Sequence, residues 1–567
     1  MNKKLLSLFL AIMMVLSMLA GCSSKSGEDE TVEASADTEE SSRISMTLTL
    51  WIPTSENTTE EAVLAAQDYI NSLTQAKFDT AIELHAIPED EYQDAIDERM
   101  AEIAAKKEEE ALAEEAAREA AKALKEQDGE AEETETEETE TEEDEETFVN
   151  ELGITVVKYP EVEDTQMDIF LVRGYENYTR YIEEAAIQQL DAELSGTSKI
   201  LKTYIYPTFL TLANQGGTYA IPNNRPVGEY EYLLVNKELV EKYDYDSENL
   251  NVLLKCEDFI KDIGYQNLDG VIPLLDWYND SGIVYWTADG WSTDRDDFSL
   301  LGSKIIATSN YNVKCMPKSV ISTPTWTNTM LMMKGLDELG YIGDGTVGEG
   351  EKFAVGIVKG TPEILEQYED EYYVNIHRVP VAQPEDIYGN MFAVSTYSKS
   401  LARSMEIITY LNTDNELRTA LQYGAEGVHW QIDPENEDTI VALSDDYQMD
   451  IYTTGNVYMT YPAYGKTMAD WDYAKQQNLD SIVTPYLTFD TYITEENAEM
   501  LAELDKLSAD IMKQIDGMSA AEFKEAISQF KKDLKDSEVL NAAIDVTDAG
   551  YGPCAVYNKY FSEEYPS

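Results

Sequence analysis

The side chains best suited to hold a ligand in this chain are aromatic. From Trp277 to Trp291 the sequence WYNDSGIVYWTADGW gathers Trp277, Trp286 and Trp291 with Asp, Asn and Ser, outside any periodic apolar pattern. A sugar ring has C–H faces that lie flat on an aromatic ring, while its hydroxyls need a few fixed polar partners. Tyr175 and Tyr464 also fall in loop-like sequence, and packing is the competing role for each of these rings. Arg173 and Arg225 are conspicuous in so acidic a chain. A guanidinium can fork onto a carboxylate or sugar hydroxyls, or close a structural salt bridge.

Reaction chemistry has less support. Asp276 and Asp280 could form a glycosidase pair, but with 110 acids in the chain near pairs arise by chance. GxSxG and HExxH are absent, and His85, His377 and His429 are the sole histidines. No His/Cys pair has zinc spacing and no EF-hand loop occurs, so neither metal nor cofactor is expected. Gly343-x-Gly345-x-x-Gly348 matches GxGxxG, yet a predicted helix (Thr327 to Leu339) precedes it and a strand (Lys352 to Val358) follows. A dinucleotide site needs the reverse order, so this is a loop.

The 567 residues carry 110 acidic and 41 basic side chains, a net charge of −69. Nucleic-acid binding is disfavoured, because phosphate recognition needs clustered Lys and Arg. At 43% apolar residues the chain can build real cores, and its length suits more than one compact unit. Cys256, Cys315 and Cys554 are too few for a disulfide framework and allow at most one bridge.

Lys3 and Lys4 precede an apolar run from Leu5 to Leu19, the pattern of a secretory signal. The junction Leu19-Ala20-Gly21-Cys22 resembles the lipobox of bacterial lipoproteins. That resemblance implies cleavage after residue 21 and a diacylglyceryl group on Cys22, which would sit on the extracellular face of the cytoplasmic membrane. Residues 22–43 are Ser, Thr, Glu and Asp with little to bury, and read as a disordered acidic tether.

The chain then alternates strand and helix: Ile44 to Ile52, Thr59 to Leu73, Phe78 to Ile87, and a helix starting near Glu89. From about Ala104 that helix becomes Ala, Glu and Lys, and residues 128–146 hold 13 acids and no base. Residues 104–147 therefore read as an insertion, a helix leaving the globule and an acidic low-complexity return, with a solvated spacer as its role. Met167 to Val172 suits a buried strand. In open α/β sheets ligands sit beyond the carboxyl ends of strands, so the loops Pro53–Glu56 and Arg173–Tyr175 point to one place.

Several segments, in order, resemble extracellular solute-binding proteins of ABC importers, of the family 1, carbohydrate type. They are Tyr219-Ala220-Ile221-Pro222 with Glu229 to Glu238 (EYEYLLVNKE), Glu351 to Pro362 (EKFAVGIVKGTP), Met391 to Asn412, and Leu421 to Trp430 (LQYGAEGVHW). Lys475 to Asn478 within WDYAKQQN continues the pattern of one subgroup. The resemblance implies an α/β, two-lobed periplasmic-binding-protein-like fold with a hinge and an interlobe cleft. Lobe 1 would span 44–205 and 388–425, and lobe 2 would span 206–387 and 426–567, ending in helices such as Glu496 to Ile515 and Ala520 to Leu534. It also places the Thr361-Pro362 helix start at the cleft floor, although Glu363 and Ile364 stand where many sugar-binding relatives have Trp.

The implied function is capture of a solute and delivery to an ABC permease by a lipid-anchored monomer, with oligosaccharide preferred over peptide. Cleft candidates are Trp51, Ser55, Arg173, Tyr175, Arg225, Tyr230, Trp277, Trp286, Trp291, Thr361 and Tyr464, with none of them catalytic. A tethered adhesive or structural lipoprotein and a secreted glycoside-active enzyme are the competing readings.

Overall fold

The computed structural model describes residues 44–127, 147–149, 155–157, 159–276, 298–300, 305–309, 318–319, 321, 323–361, 367–462, 464–483, 487, 494–545 and 552–564. Cys22, Trp277, Trp286, Trp291 and Cys315 lie outside them.

The alternation in MTLTLWIPT folds as expected. Strand Met46–Thr54 turns Leu48, Leu50 and Ile52 inward, where they are almost fully buried. Helix Glu60–Phe78 follows, capped by the Thr59 hydroxyl accepting from the Ala62 N–H, with Glu60 and Glu61 in its first turn and Lys77 in its last. Ala62, Ala66, Ile70 and Thr74 recur every four residues and form its buried stripe. The helix runs five residues past the expected Leu73 and takes in Phe78, because Asp79 ends it in the left-handed region (φ 51°).

The same helix protects a sheet edge. Strand Thr80–Pro88 is outermost in its sheet. Gln67 Oε1 accepts from the Leu84 N–H, while Asn71 accepts from the Ile82 N–H and donates to the Ile82 carbonyl. Two amides one helical turn apart thus satisfy backbone groups that would otherwise recruit another strand.

The first sheet runs Thr80–Pro88, Met46–Thr54, Ile169–Val172, Met391–Val394, Ala220–Pro222. Its first three strands are parallel, and Met391–Val394 is antiparallel to both neighbours. Thr54, Pro88, Val172 and Pro222 therefore end at one edge, where Met391 begins.

The second sheet runs Tyr372–Arg378, Tyr230–Asn236, Lys352–Gly360, Val271–Leu274. Tyr230–Asn236 is buried at every position, as befits a central strand. One face carries a core of its own with Leu233, Val235, Phe259 and Trp326. The C-terminal helices Glu495–Asp516 and Ala520–Asp536 close that core, with Phe523 edge-on to Trp326 at 5.9 Å. Both begin near the sequence-derived positions, at Thr494 and at the Ser519–Glu522 capping box. Helix Pro324–Glu338 precedes, and strand Lys352–Gly360 follows, the glycine-rich loop of 343–348.

Two boundaries differ from the expected ones. Residues 206–222 stay with the first sheet, since Phe209 is fully buried in its core and Ala220–Pro222 pairs with Met391–Val394. Tyr447, Met449 and Leu487 also pack in the first core, though 426–567 was assigned to the second lobe. Helix-and-strand patterning reveals that an element exists, but the partner that buries it is nonlocal.

Helix Tyr92–Gln127 is 36 residues long. It is anchored by Tyr92, Ile96, Met100 and Ile103, and from residue 104 to 119 every residue is exposed, as the composition of the insertion implied. Residues 128–146 lie outside the described residues. Cys256 and Cys554 are both buried, and burial pushes the Cys554 thiol up to about 12.

Behind Tyr175, Asp97 ties this long helix to helix Tyr175–Glu183. It accepts from Tyr181 Oη (2.7 Å), from Arg180 Nη2 (2.9 and 3.1 Å) and from Gln93 (3.1 Å). Burial alone would raise its pKa, but these hydrogen bonds and the Arg180 charge outweigh it and hold the carboxyl below 3.8. The folded state then binds the proton less tightly than the unfolded state, so Asp97 stabilises above that value and the gain is lost as pH falls through the folded pKa. Asp97→Asn should cost about 1 kcal/mol at neutral pH in this half-exposed setting. The difference in melting temperature from wild type should shrink below about pH 4. A difference that persists undiminished at about pH 3 would refute the assignment.

Candidate functional site

The carboxyl ends of the first-sheet strands and the crossover segments to the second sheet form one continuous edge. Residues 223–229 join Pro222 to Tyr230, and residues 379–390 join Arg378 to Met391. In the second sheet Gly360 pairs with Tyr230 and so lies at this side, whereas strand Val271–Leu274 ends level with Val355 and Val235, short of it. A ligand at this edge would be reached by loops from both sheets, the arrangement expected beyond strand ends.

On the first-sheet side, Trp51 and Ser55 line a cavity of about 360 Å³ together with Thr54, Glu56, His85 and Ile87. Trp51 stacks on His85 with ring centroids 3.9 Å apart, because the two are register partners in adjacent strands. Burial lowers the His85 pKa against the opposing pull of Glu83, so the ring is a neutral stacking surface at pH 7. The Trp51 indole N–H is buried with no hydrogen-bond partner among the described residues. The Ser55 N–H donates to the Gln448 carbonyl at 3.1 Å, and the segment around residue 448 thereby backs this loop.

Arg173, Tyr175 and Arg225 reach the same edge, but their partners differ from a free ligand-binding fork. Arg173 is ion-paired with Glu89, just past the end of the edge strand Thr80–Pro88, two strands away. Tyr175 meets Tyr388 edge-on at 4.8 Å, and the Gly174 N–H donates to the Tyr388 carbonyl at 2.7 Å. Arg225 lies 4.2 Å over the ring of Tyr452 and 3.9 Å from Asp386. Burial raises the Asp386 pKa, while the Gln383 N–H and the Arg225 charge pull the other way. The short helix Pro384–Tyr388 therefore braces both loops, through Asp386 and Tyr388.

Asn223 and Asn390 were not among the sequence candidates. The Asn223 N–H donates to the Asn390 carbonyl, and Asn223 Nδ2 donates to the Tyr452 carbonyl at 3.0 Å. Both side-chain carbonyl oxygens are buried without a hydrogen-bond partner among the described residues. Such acceptors are costly to leave unmade, which marks this corner as one where a donor from outside is favourable. The signal available in the sequence was Pro222-Asn223-Asn224-Arg225, polar residues directly after a strand.

Across the crossover, Gly228, Glu229, Glu231, Lys359, Arg378 and Gln383 line a second cavity, of about 230 Å³. Thr361 follows strand Lys352–Gly360, and its hydroxyl is buried without a hydrogen-bond partner among the described residues. The helix start expected at Thr361-Pro362 falls mostly on residues 362–366, outside those described. Tyr230 does not face an open wall. It is 2% exposed, stacks on Tyr232 at 5.2 Å and donates its hydroxyl to Asp480 at 2.6 Å. Tyr464 stands elsewhere, 5.3 Å from Tyr423 in a small aromatic cluster beside the hairpin strands Trp430–Asp433 and Asn436–Ala442. Among the described residues there is no group of His, Cys, Asp and Glu able to hold a metal ion, and no helix long and apolar enough to cross a membrane.

The fold is the two-lobed α/β architecture of solute-binding proteins. The N-glycan transport solute binding protein NgtS from Streptococcus pneumoniae superposes over 92% of this chain and 100% of its own, with a TM-score of 0.51 and 15% identity. An extracellular solute-binding protein from Bifidobacterium longum subsp. infantis covers 91% of this chain and 98% of its own, at a TM-score of 0.46 and 13% identity. In sequence, 102 residues are 32% identical to a carbohydrate ABC transporter substrate-binding protein of Streptococcus pneumoniae serotype 4. That match covers 17% of this chain and 21% of the relative, so the chain spans about a fifth of the length of the curated protein it matches. No protein-family model matches the chain.

Proposed function

We propose that this protein is the substrate-binding component of an ABC importer, tethered outside the cell through a lipid on Cys22, and that it captures an oligosaccharide between its lobes for delivery to the permease. The work is binding and closure, with no covalent step. Ligand contacting both lobes stabilises the closed state, and only differential affinity for that state can drive closure. The observation that carries the reading is the convergence of Trp51, Ser55, Arg173, Tyr175 and Arg225 on one strand-end edge, beside the crossovers. The two-lobed fold and the carbohydrate-transport relative support it. The clustered aromatics Trp277, Trp286 and Trp291 favour a sugar over a peptide.

A thermal-shift screen against oligosaccharides, peptides and small anions tests this directly. A ligand that binds only the native state raises the melting temperature by mass action. A saturable shift with oligosaccharides is expected, and Trp286→Ala or Trp291→Ala should weaken that binding by about 1–3 kcal/mol. A shift with peptides alone would replace the sugar by a peptide, and silence across the whole library would overturn the transport reading.

A further inference from the structure

The crossover segments converge on one element. Helix Met468–Asp480 belongs to neither sheet, and its last turn carries Gln477 and Asn478, which are 1% and 3% exposed. Asn478 Nδ2 donates to the Arg225 carbonyl at 2.8 Å, and its Oδ1 accepts from the Val227 N–H at 2.9 Å. A side-chain amide has the donor and acceptor of a peptide group, so this residue pairs with the crossover as a neighbouring strand would. Gln477 Nε2 donates to the Val227 carbonyl at 2.8 Å and also to the Gly228 carbonyl. Asp480 accepts from Tyr230 Oη, where the crossover becomes the central strand of the second sheet.

The returning crossover is held at the same place. The Ile482 N–H donates to the Pro380 carbonyl at 2.9 Å, and Val381 and Ala382 pair in parallel with Ile482 and Val483. Gly228 has φ 53°, and a Cβ there would meet the Val381 carbonyl oxygen at 3.1 Å, so the two crossovers pass too close for a side chain. Further along the chain, Leu487 packs in the first core and Leu501 in the second.

We infer that Gln477 and Asn478 are positioning residues that clamp the crossovers and so set the open–closed equilibrium of the two lobes without touching ligand. Domain closure by a hinge concentrates its φ/ψ change in a few residues between the lobes. Here residues 225–228 are the ones whose peptide groups are fixed from outside by the clamp. With the clamp intact the crossover bends as one unit with helix Met468–Asp480; without it the backbone at Val227 and Gly228 loses these restraints, while Pro226 keeps its own φ fixed. The inference rests on the binding reading for the purpose of closure, but the clamp itself is measurable with no ligand present.

The test is an interlobe distance. Nitroxides at Leu64→Cys in the first lobe and Tyr265→Cys in the second, both on exposed helix positions, are attached to the full chain with Cys22 and Cys315 replaced by serine. Pulsed dipolar spectroscopy should give a distance distribution at least about twofold broader in Asn478→Ala and Gln477→Ala than in wild type. Asn478→Asp keeps the acceptor for the Val227 N–H but loses the donor to Arg225, and should lie between. Gly228→Ala, which wedges the two crossovers apart, should shift the mean distance and serves if Asn478→Ala does not fold. Distributions unchanged in every folded variant would overturn the clamp, even if all the variants melt earlier, because a purely structural role lowers stability without moving the lobes. Failure of the sugar screen with a broadened distribution would instead leave the clamp standing and remove the transport reading.

Discussion

Asp168→Ala is expected to destabilise the protein by about 3–5 kcal/mol, read as a fall in the denaturation midpoint. Asp168 is fully buried at the start of strand Ile169–Val172. Its carboxylate accepts from the Thr49 N–H (2.9 Å) and hydroxyl (3.2 Å), from Gln166 Nε2 (2.7 Å), from the Ser398 hydroxyl (2.7 Å) and from the Lys399 N–H (2.7 Å). These donors come from strand Met46–Thr54, from the segment just before strand Ile169–Val172 and from the turn that starts helix Leu401–Thr413, so one side chain joins three parts of the chain that are far apart in sequence. Alanine leaves several buried donors without acceptors, each costing about 1–3 kcal/mol before relaxation. Asp168→Asn can keep some of the acceptor contacts and should lose less. This site lies at the end of the sheet opposite the ligand edge, so ligand affinity per folded molecule should be unchanged. A loss under about 1 kcal/mol for alanine would contradict the network.

Arg418→Ala is the second large effect, again about 3–5 kcal/mol. The guanidinium is fully buried and finds no carboxylate partner within hydrogen-bond reach among the described residues. It donates to the Asn456 carbonyl (3.2 Å), the Ile451 carbonyl (2.7 Å) and Gln422 Oε1 (3.2 Å). Alanine removes those donors and leaves a cavity; Arg418→Met keeps most of the volume and should restore part of the loss.

Burial pushes the Arg418 pKa down to about 9, against the weaker pull of Tyr423 and Asp450. A base whose folded pKa lies below its unfolded value binds its proton less tightly when folded. Its charge therefore costs stability at neutral pH, a cost that the three hydrogen-bond acceptors offset in part. The guanidinium keeps its proton across the neutral range, so the stability difference between wild type and Arg418→Met should stay flat between about pH 6 and pH 8, and a difference that changes there would count against a permanently charged buried guanidinium. Arg418 also matters for the site. The segment it grips carries Tyr452, which underlies Arg225, and Asn456, next to Val457 whose N–H donates to the Asn224 carbonyl. Arg418→Ala should therefore weaken ligand binding in the surviving folded fraction, unlike Asp168→Ala.

The helices were legible where their signals are local. Thr59, Thr494 and Ser519 cap helices at or near the expected starts, because a cap needs only a side chain and a backbone N–H two or three residues on. The alternation over Ile44 to Ile52 announced a strand for the same reason. The long helix past Ile103 was readable from composition alone, since Ala, Glu and Lys need no partner to be helical. The topological argument also transferred to the structure: parallel strands ending together bring the loops after Thr54 and Val172 to one edge.

Side-chain assignments transferred less well. Tyr230 sits in loop-to-strand sequence, yet its hydroxyl is taken by Asp480, 250 residues away. Arg173 and Arg225 are at the expected edge but are engaged by Glu89 and by Asp386 and Tyr452. Asn223 was marked only by polar residues directly after a strand and Gln477–Asn478 only by a subgroup motif, and neither signal, nor any at Asn390, pointed to the partners these amides take.

By itself the sequence determined the alternation of strands and helices, the character of the insertion, the scarcity of histidine and cysteine, and the two-lobed class through motifs in a fixed order. All but the last reside in hydrophobic period, capping and composition, which act over a few residues; the two-lobed class is implied by the resemblance of those motifs to a known family. The tertiary structure decided which lobe owns residues 206–222, which polar groups at the edge are already satisfied, and how one helix turn grips the crossovers. Each of those depends on pairing groups about 40 to 250 positions apart, and the cost of leaving a buried polar group unpaired, not any local preference, selects the partner.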